Sequence, residues 1–196
     1  GLAISSKYKK DSAVTICFFG DGALNEGEFH ESMNLASLWK APVLFFLENN
    51  LYGMGSHVNR THSAGSDLYT FADPYKIPAA QVDGMDVIAV KNATSQAIKR
   101  IREGEGPHLI EAMTYRFGGH SLADPTTYRN TAEVNMWKEK DPIKKFGEES
   151  LVSNLLTKDQ ITEINVRVNK SVGDAVDFAE ESEEPPLGSL HDNVYA

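Results

Sequence analysis

Asp21 stands between Gly20 and Gly22, directly after the run Ala13-Val14-Thr15-Ile16-Cys17-Phe18-Phe19; Asn50 and Tyr52 follow a second run, Val43-Leu44-Phe45-Phe46-Leu47. Both runs are short, apolar and rich in β-branched or aromatic side chains, as strands buried on both faces of a parallel sheet must be. Such sheets bind ligands beyond the carboxyl ends of their strands, and the flanking glycines leave the backbone free to turn sharply and approach one. Between the runs the spacing predicts a helix from about Asn25 to Trp39, with Phe29, Met33 and Ala36 on its apolar face and Leu35, Leu38 and Trp39 widening it. A right-handed crossover through that helix returns the second strand beside the first, so that Asn50 meets Asp21. Mg²⁺ takes six oxygens at about 2.0–2.1 Å and prefers few protein ligands alongside phosphate and water. The Asp21 carboxylate, the Asn50 amide oxygen and the main-chain oxygen of Tyr52 meet that need, and the helix amino end adds unpaired N–H groups that favour phosphate. The chemistry implied is a magnesium-diphosphate clamp. Gly-Asp-Gly by itself is a common turn, so the weight falls on the spacing.

A second polar stretch runs from Tyr115 to Arg129 and holds Gly118, Gly119, His120, Ser121 and Pro125, too irregular for helix or strand. It reads as a loop that closes over a ligand and excludes water. Arg116 and Arg129 can each grip a carboxylate bidentately, and Asp124 is the nearby acid, so an Arg116–Asp124–Arg129 network capped by Tyr128 is expected to order it. The His120 imidazole can donate to a developing anion or move a proton.

Gly-Asp-Gly, residues 23–48 holding one helix and one strand, and then Asn-Asn together resemble the thiamin diphosphate fingerprint of the transketolase and 2-oxoacid dehydrogenase enzymes. Gly-Asp-Gly-Ala-Leu-Asn-Glu-Gly, Asn-Leu-Ala-Ser-Leu-Trp-Lys-Ala-Pro, Glu-Asn-Asn-Leu-Tyr-Gly-Met-Gly, Val-Asp-Gly-Met-Asp and Tyr-Arg-Phe-Gly-Gly-His-Ser narrow the likeness. They resemble the alpha subunits of 2-oxoacid dehydrogenase decarboxylating components, over nearly the whole chain.

That resemblance implies thiamin diphosphate and Mg²⁺ as cofactors, with Asp21, Gly22, Ala23, Asn50, Tyr52 and His120 as binding positions. It implies oxidative decarboxylation of a small 2-oxoacid and passage of the acyl group to a lipoyl-bearing acyltransferase, with His120 assisting the transfer. A beta subunit is expected to supply the glutamate that activates the cofactor's aminopyrimidine, giving a heterotetramer. Asn-Leu-Tyr-Gly-Met-Gly points to pyruvate or acetoin, Leu-Ile-Glu-Ala-Met-Thr-Tyr-Arg is also close to the branched-chain type, and pyruvate leads. Ser121 matches an inhibitory phosphorylation position of mitochondrial relatives. The sequence departs from those relatives at Gly118, where they carry another His, and its loop is one residue shorter. The non-catalytic alternative is a cofactor-binding fragment that needs the rest of its subunit and its partner.

The 196 residues suffice for one α/β domain with a sizeable core. The expected fold is a mostly parallel sheet sandwiched by helices, with residues 1–130 as the cofactor-binding domain and 131–196 as a helical region and tail. The opening Gly1 to Lys10 reads as the end of a helix already under way, so an upstream segment that completes the sheet is expected. A net charge of −9 and a pI near 5.1 argue against a nucleic-acid partner. The apolar runs are shorter than the roughly 20 residues a bilayer span needs. Cys17, in an apolar strand, reads as a buried inert thiol in a reducing compartment, bacterial cytoplasm or mitochondrial matrix. His57 and His62 read as solvated loop residues.

Further along, Ala79–Val82 reads as a strand that Val87–Val90 continues, Ala93–Glu103 as a helix and Pro107–Thr114 as a strand. Asn130 with Glu133 and Thr157 with Gln160 read as capping pairs. Ile161, Ile164, Val168, Val172, Ala175, Phe178 and Ala179 define a long amphipathic helix whose stripe is expected to pack on its own domain, and residues 187–196 a docking tail.

Overall fold

The computed structural model describes residues 1–192 and 194; of the tail, residues 193, 195 and 196 lie outside the described residues. Helix α1 (Leu2–Lys9) precedes strand β1 (Thr15–Gly20), a 3₁₀ turn over Asp21–Asn25, helix α2 (Gly27–Leu38) and strand β2 (Val43–Asn49). A small hairpin, β3 (Tyr52–Gly53) and β4 (Ser56–His57), leads into the one-turn helix α3 (Val58–Thr61) and a 3₁₀ segment at Leu68–Tyr75. Then follow β5 (Ala79–Asp83), α4 (Val87–Arg102), β6 (His108–Met113), α5 (Thr131–Lys138), α6 (Pro142–Val152) and α7 (Lys158–Glu181), with a 3₁₀ turn at Leu187–His191.

The fold is α/β. Its main sheet has the order β1-β2-β6-β5 with every pair parallel. In register, Gly20 faces Glu48, while Asn49 and Asp83 both face Met113, so the strands end level at one edge. That edge carries Asp21, Asn50 and Thr114.

Burial follows from the period of two along each strand. Val43, Phe45 and Leu47 of β2 join Leu24, Phe29, Met33 and Ala36 on one face. Leu44 and Phe46 join Ala97, Ile101, Ile110 and Ala112 on the other. Helices therefore cover both faces, and β2 and β6 are the inner strands.

Four expectations are corrected here. β1 is an edge strand rather than a doubly buried one, so Cys17 is exposed and Phe18 keeps 61% of its surface accessible. On α2, Leu35, Leu38 and Trp39 are exposed, and the packed face narrows to Phe29, Met33 and Ala36. The run Val87–Val90 is the first turn of α4, because the Asp86 carboxylate caps the amides of Ile88 and Ala89. The stripe of α7 is in place, and the helix opens with both bonds of a Thr157–Gln160 capping box, but it buries none of its residues.

The chain forms two compact units, Gly1–Phe146 and Gly147–Ala196, which part within α6. The first holds the whole sheet and the segments beyond its carboxyl edge. The second is helical.

Candidate functional site

Asp21 opens the 3₁₀ turn after β1 and is 2% exposed; its Oδ2 is buried without a hydrogen-bond partner. Burial pushes its carboxyl pKa up, partly offset by the Asp21 and Asn50 backbone amides and by nearby His62 and Arg116. A desolvated carboxylate with a free oxygen is costly unless a cation meets it. Its neighbours leave it room: a Cβ on Gly53 would stand 3.5 Å from Asp21 Oδ2 and from the Cα of Gly22.

Asn50 follows β2 and its Oδ1 accepts from the amide of Tyr52 at 3.1 Å, which leaves that oxygen a second lone pair. Leu51 between them has φ 72, a left-handed turn that a leucine adopts only under constraint. The buried Tyr52 ring packs edge-on to His57 and Tyr115, and its hydroxyl donates to Glu133 of α5 at 3.0 Å. Burial, then the Glu133 carboxylate, pushes the Tyr52 phenol up to about 12. Glu133 thus serves the hairpin rather than a capping box; Asn130 alone caps α5, accepting from Ala132.

Neither His57 nor His62, both expected in solvent, is a free loop side chain. His57 Nδ1 accepts from the Asn59 amide and caps α3. His62 is buried, with Nδ1 at 2.9 Å from Thr61 Oγ1, its ring edge-on to Phe71, and its Nε2 unpartnered.

In the 115–130 loop Tyr128 bonds to Asp124 as expected, but the arginines pair elsewhere. Asp124 accepts from the Tyr128 hydroxyl and from the amides of His120, at 2.7 Å, and Thr126, at 2.9 Å. No ion pair joins it to either arginine. The Tyr128 hydroxyl, aided by the His120 and Thr126 amides, brings the Asp124 carboxyl down to about 2. Arg129 instead donates to the carbonyls of Arg116 and Gly118 and lies over the rings of Tyr115 and Tyr128, 5.6 Å from each centroid. Arg116 donates to the Met54 carbonyl at 3.2 Å and meets His120 Nδ1 at 3.0 Å, tying the loop to the hairpin beside Asp21. The guanidinium groups thus bind backbone carbonyls and the His120 ring, while the phenol and two amides take three of the carboxylate's acceptor sites. Gly119 is required for close approach: a Cβ there would lie 2.9 Å from Asp124 Cβ. Ser121 and Leu122 are exposed on this loop, Ser121 accepting from the Asp124 amide through its carbonyl.

Two groups escaped the sequence reasoning. Glu133 was readable only as a helix cap. Glu111, fully buried in β6 with four hydrogen-bond donors around it, announced itself as a carboxylate inside an otherwise apolar strand. Among the described residues no group of three His, Cys, Asp or Glu side chains could hold a metal, so a divalent cation here would rely on one carboxylate with amide and carbonyl oxygens.

The carboxyl edge of the parallel sheet thus brings together a buried acid with one unpartnered oxygen, the glycines Gly22 and Gly53 and a folded His-bearing loop, where α/β sheets bind their ligands. The family model described as "Dehydrogenase E1 component" matches residues 1–187, and the chain belongs to that family. It is 41% identical over 195 residues to the "Pyruvate dehydrogenase E1 component subunit alpha" of Rhizobium meliloti (strain 1021), covering 99% of this chain and 56% of that protein. The protein of that name from Porphyra purpurea is 39% identical, covering 100% of this chain and 59% of the relative. The mitochondrial type I alpha subunit of Ascaris suum is 44% identical over 197 residues, 100% of this chain and 49% of the relative. The chain thus spans about half the length of these relatives. No helix among the described residues is long and apolar enough to cross a membrane.

Proposed function

We propose that this chain is the cation- and diphosphate-holding part of a pyruvate dehydrogenase E1 alpha subunit, with thiamin diphosphate and Mg²⁺ as its cofactors. The observation that carries the reading is the orphaned Asp21 Oδ2, a buried acid whose ionised form a bound cation would stabilise. Asp21, the second lone pair of Asn50 Oδ1 and the Tyr52 carbonyl would hold the metal, and Gly22 and Ala23 of the 3₁₀ turn would lie against the diphosphate. When bound, the cofactor supplies a carbon that adds to a 2-oxoacid carbonyl and takes up the electrons left by carbon dioxide.

The chain's own residues orient and shield. Arg129 holds the loop by the Arg116 and Gly118 carbonyls, and Arg116 bridges the exposed His120 ring to the Met54 carbonyl of the hairpin, so His120 is tethered on the hairpin's side. Its Nε2–H is the donor available to a developing oxyanion. Ser121, exposed on the same loop, is the position where an added phosphate would place charge against the diphosphate and against Asp124. A beta subunit completes the active site and a lipoyl-bearing acyltransferase receives the acyl group, in line with the E1 alpha names of the relatives. Those relatives come from a bacterium and from mitochondria, and either compartment suits the reading.

The test is decarboxylation by the full-length protein co-assembled with its partner subunit, offered pyruvate, acetoin and branched 2-oxoacids, with and without thiamin diphosphate and Mg²⁺. Turnover of pyruvate that needs both cofactors is expected. Preference for acetoin or a branched acid would move the substrate, and turnover indifferent to both cofactors would overturn the reading.

A further inference from the structure

Glu111 lies in the middle of β6 with no exposed surface, and among the described residues no Lys, Arg or His reaches it within ion-pair distance. A buried carboxylate without a counter-charge persists only where hydrogen bonds surround it. Here they do. Oε1 accepts from Asn49 Nδ2 at 2.6 Å and from the Leu68 amide at 3.3 Å, and Oε2 from the Tyr69 amide at 3.0 Å and Gln81 Nε2 at 3.1 Å.

Asn49 transmits the effect. Glu111 as a carboxylate can only accept, so the NH₂ end of the Asn49 amide must face it and the oxygen end must point the other way. That oxygen accepts from the Leu51 amide at 3.0 Å. Leu51 is the residue at φ 72, and on either side of it stand Asn50 and Tyr52. A leucine holds that conformation only when its surroundings over-determine it. The oriented amide of Asn49 is one such constraint, and the bond from the Val58 amide to the Leu51 carbonyl is a second.

We infer that Glu111 is a positioning residue for the metal-holding turn: through Asn49 it locks Leu51 left-handed and so aims the Asn50 amide oxygen and the Tyr52 carbonyl at Asp21. Its second oxygen secures the 3₁₀ segment at Leu68–Tyr75 through Tyr69, so one buried carboxylate fixes both the turn and the segment packed beneath it. The inference rests on the cofactor reading above for what the turn holds, and on hydrogen bonds alone for how it is held.

The experiment uses the full-length protein in its native assembly and reads thiamin diphosphate affinity at fixed Mg²⁺ together with amide hydrogen exchange at residues 50–53. Glu111→Leu fills the same buried space without acceptors; it should weaken cofactor binding 10–100-fold, the range for outer partners of metal ligands, and speed exchange at Leu51. Glu111→Gln can turn its carbonyl to Asn49 and should recover most of the affinity. Gln81→Ala removes a donor to the far oxygen and to the Ser66 carbonyl, leaves the Asn49 link intact and should stay within about twofold of wild type. If Glu111→Leu does not fold, Asn49→Ala cuts the link from its other end and carries the same expectation. Wild-type affinity and exchange in the folded Glu111→Leu or Asn49→Ala protein, or an equal loss in Gln81→Ala, overturns the inference. Wild-type protein that fails to bind thiamin diphosphate refutes the cofactor reading instead, and the exchange at Leu51 then still decides the link.

Discussion

His120 Nδ1 accepts a hydrogen bond from the Arg116 guanidinium at 3.0 Å. Arginine has donors and no acceptor, so the bond fixes the imidazole as the tautomer with its proton on Nε2. The ring is thereby ready to donate from Nε2 and not from Nδ1. His120→Ala should leave thiamin diphosphate affinity within a few-fold, since the diphosphate is held elsewhere, and lower acyl transfer to lipoamide by about 10²–10⁴-fold. Arg129→Ala should loosen the loop and expose it to protease with cofactor bound. Cofactor titration, lipoamide-dependent turnover and limited proteolysis on both variants separate a chemical role from a structural one, and normal turnover in His120→Ala would return the residue to solvent.

Asp21 sets stability against function. Its pKa is raised by burial, so the apo fold favours the protonated acid: this group's contribution is present below its unfolded value of about 3.9 and is lost as pH rises through the folded value. At neutral pH an uncharged isostere should therefore suit the empty site better. Asp21→Asn should raise the melting temperature of the cofactor-free protein and abolish the further rise that Mg²⁺ and thiamin diphosphate give the wild type. Thermal melts with and without both ligands check it; a variant that still responds to them would remove Asp21 from the clamp.

Asp124 carries the opposite sign. Its lowered pKa means that its contribution is present above about 3.9 and is lost as pH falls through about 2. Pepsin cleavage within residues 115–130 should accordingly rise as the pH is taken from 4 to 2, beyond any change in the rest of the chain. Tyr128→Phe removes the largest cause of the shift and should move that rise to higher pH. Identical profiles for the two proteins would dismiss the bond.

Tyr52 offers an alkaline counterpart. With its phenol raised to about 12, the bond to Glu133 contributes fully below the ordinary tyrosine value of about 10 and is lost progressively toward 12. Tyr52→Phe should destabilise the fold by about 1 kcal/mol at neutral pH. Spectrophotometric titration should find the last-ionising tyrosine of the wild type absent in the variant, while Tyr115 and Tyr128, also raised, remain.

The strand ends and the two polar segments beyond them were legible because short apolar runs and flanking glycines report local geometry directly. What lies across a surface was not. The run around Cys17 reads as apolar on both faces, but composition does not encode that β1 is at the sheet's edge. The α7 stripe gives a face and not its cover. In the loop, charge pairing suggested that arginine would take Asp124, whereas a phenol and two amides reach it first at the short range four residues of chain allow. Val87–Val90 shows the same competition, its β-branched preference yielding to a cap from Asp86.

The outer side of β1 has one further consequence. Among the described residues its backbone groups from Thr15 to Gly20 pair only toward β2, and Phe18 stands open beside them. An unpaired parallel edge with an exposed aromatic is a template onto which another extended segment can zip. Held as this span alone, the protein keeps that edge open to solvent, and its nine excess negative charges are what oppose edge-to-edge association.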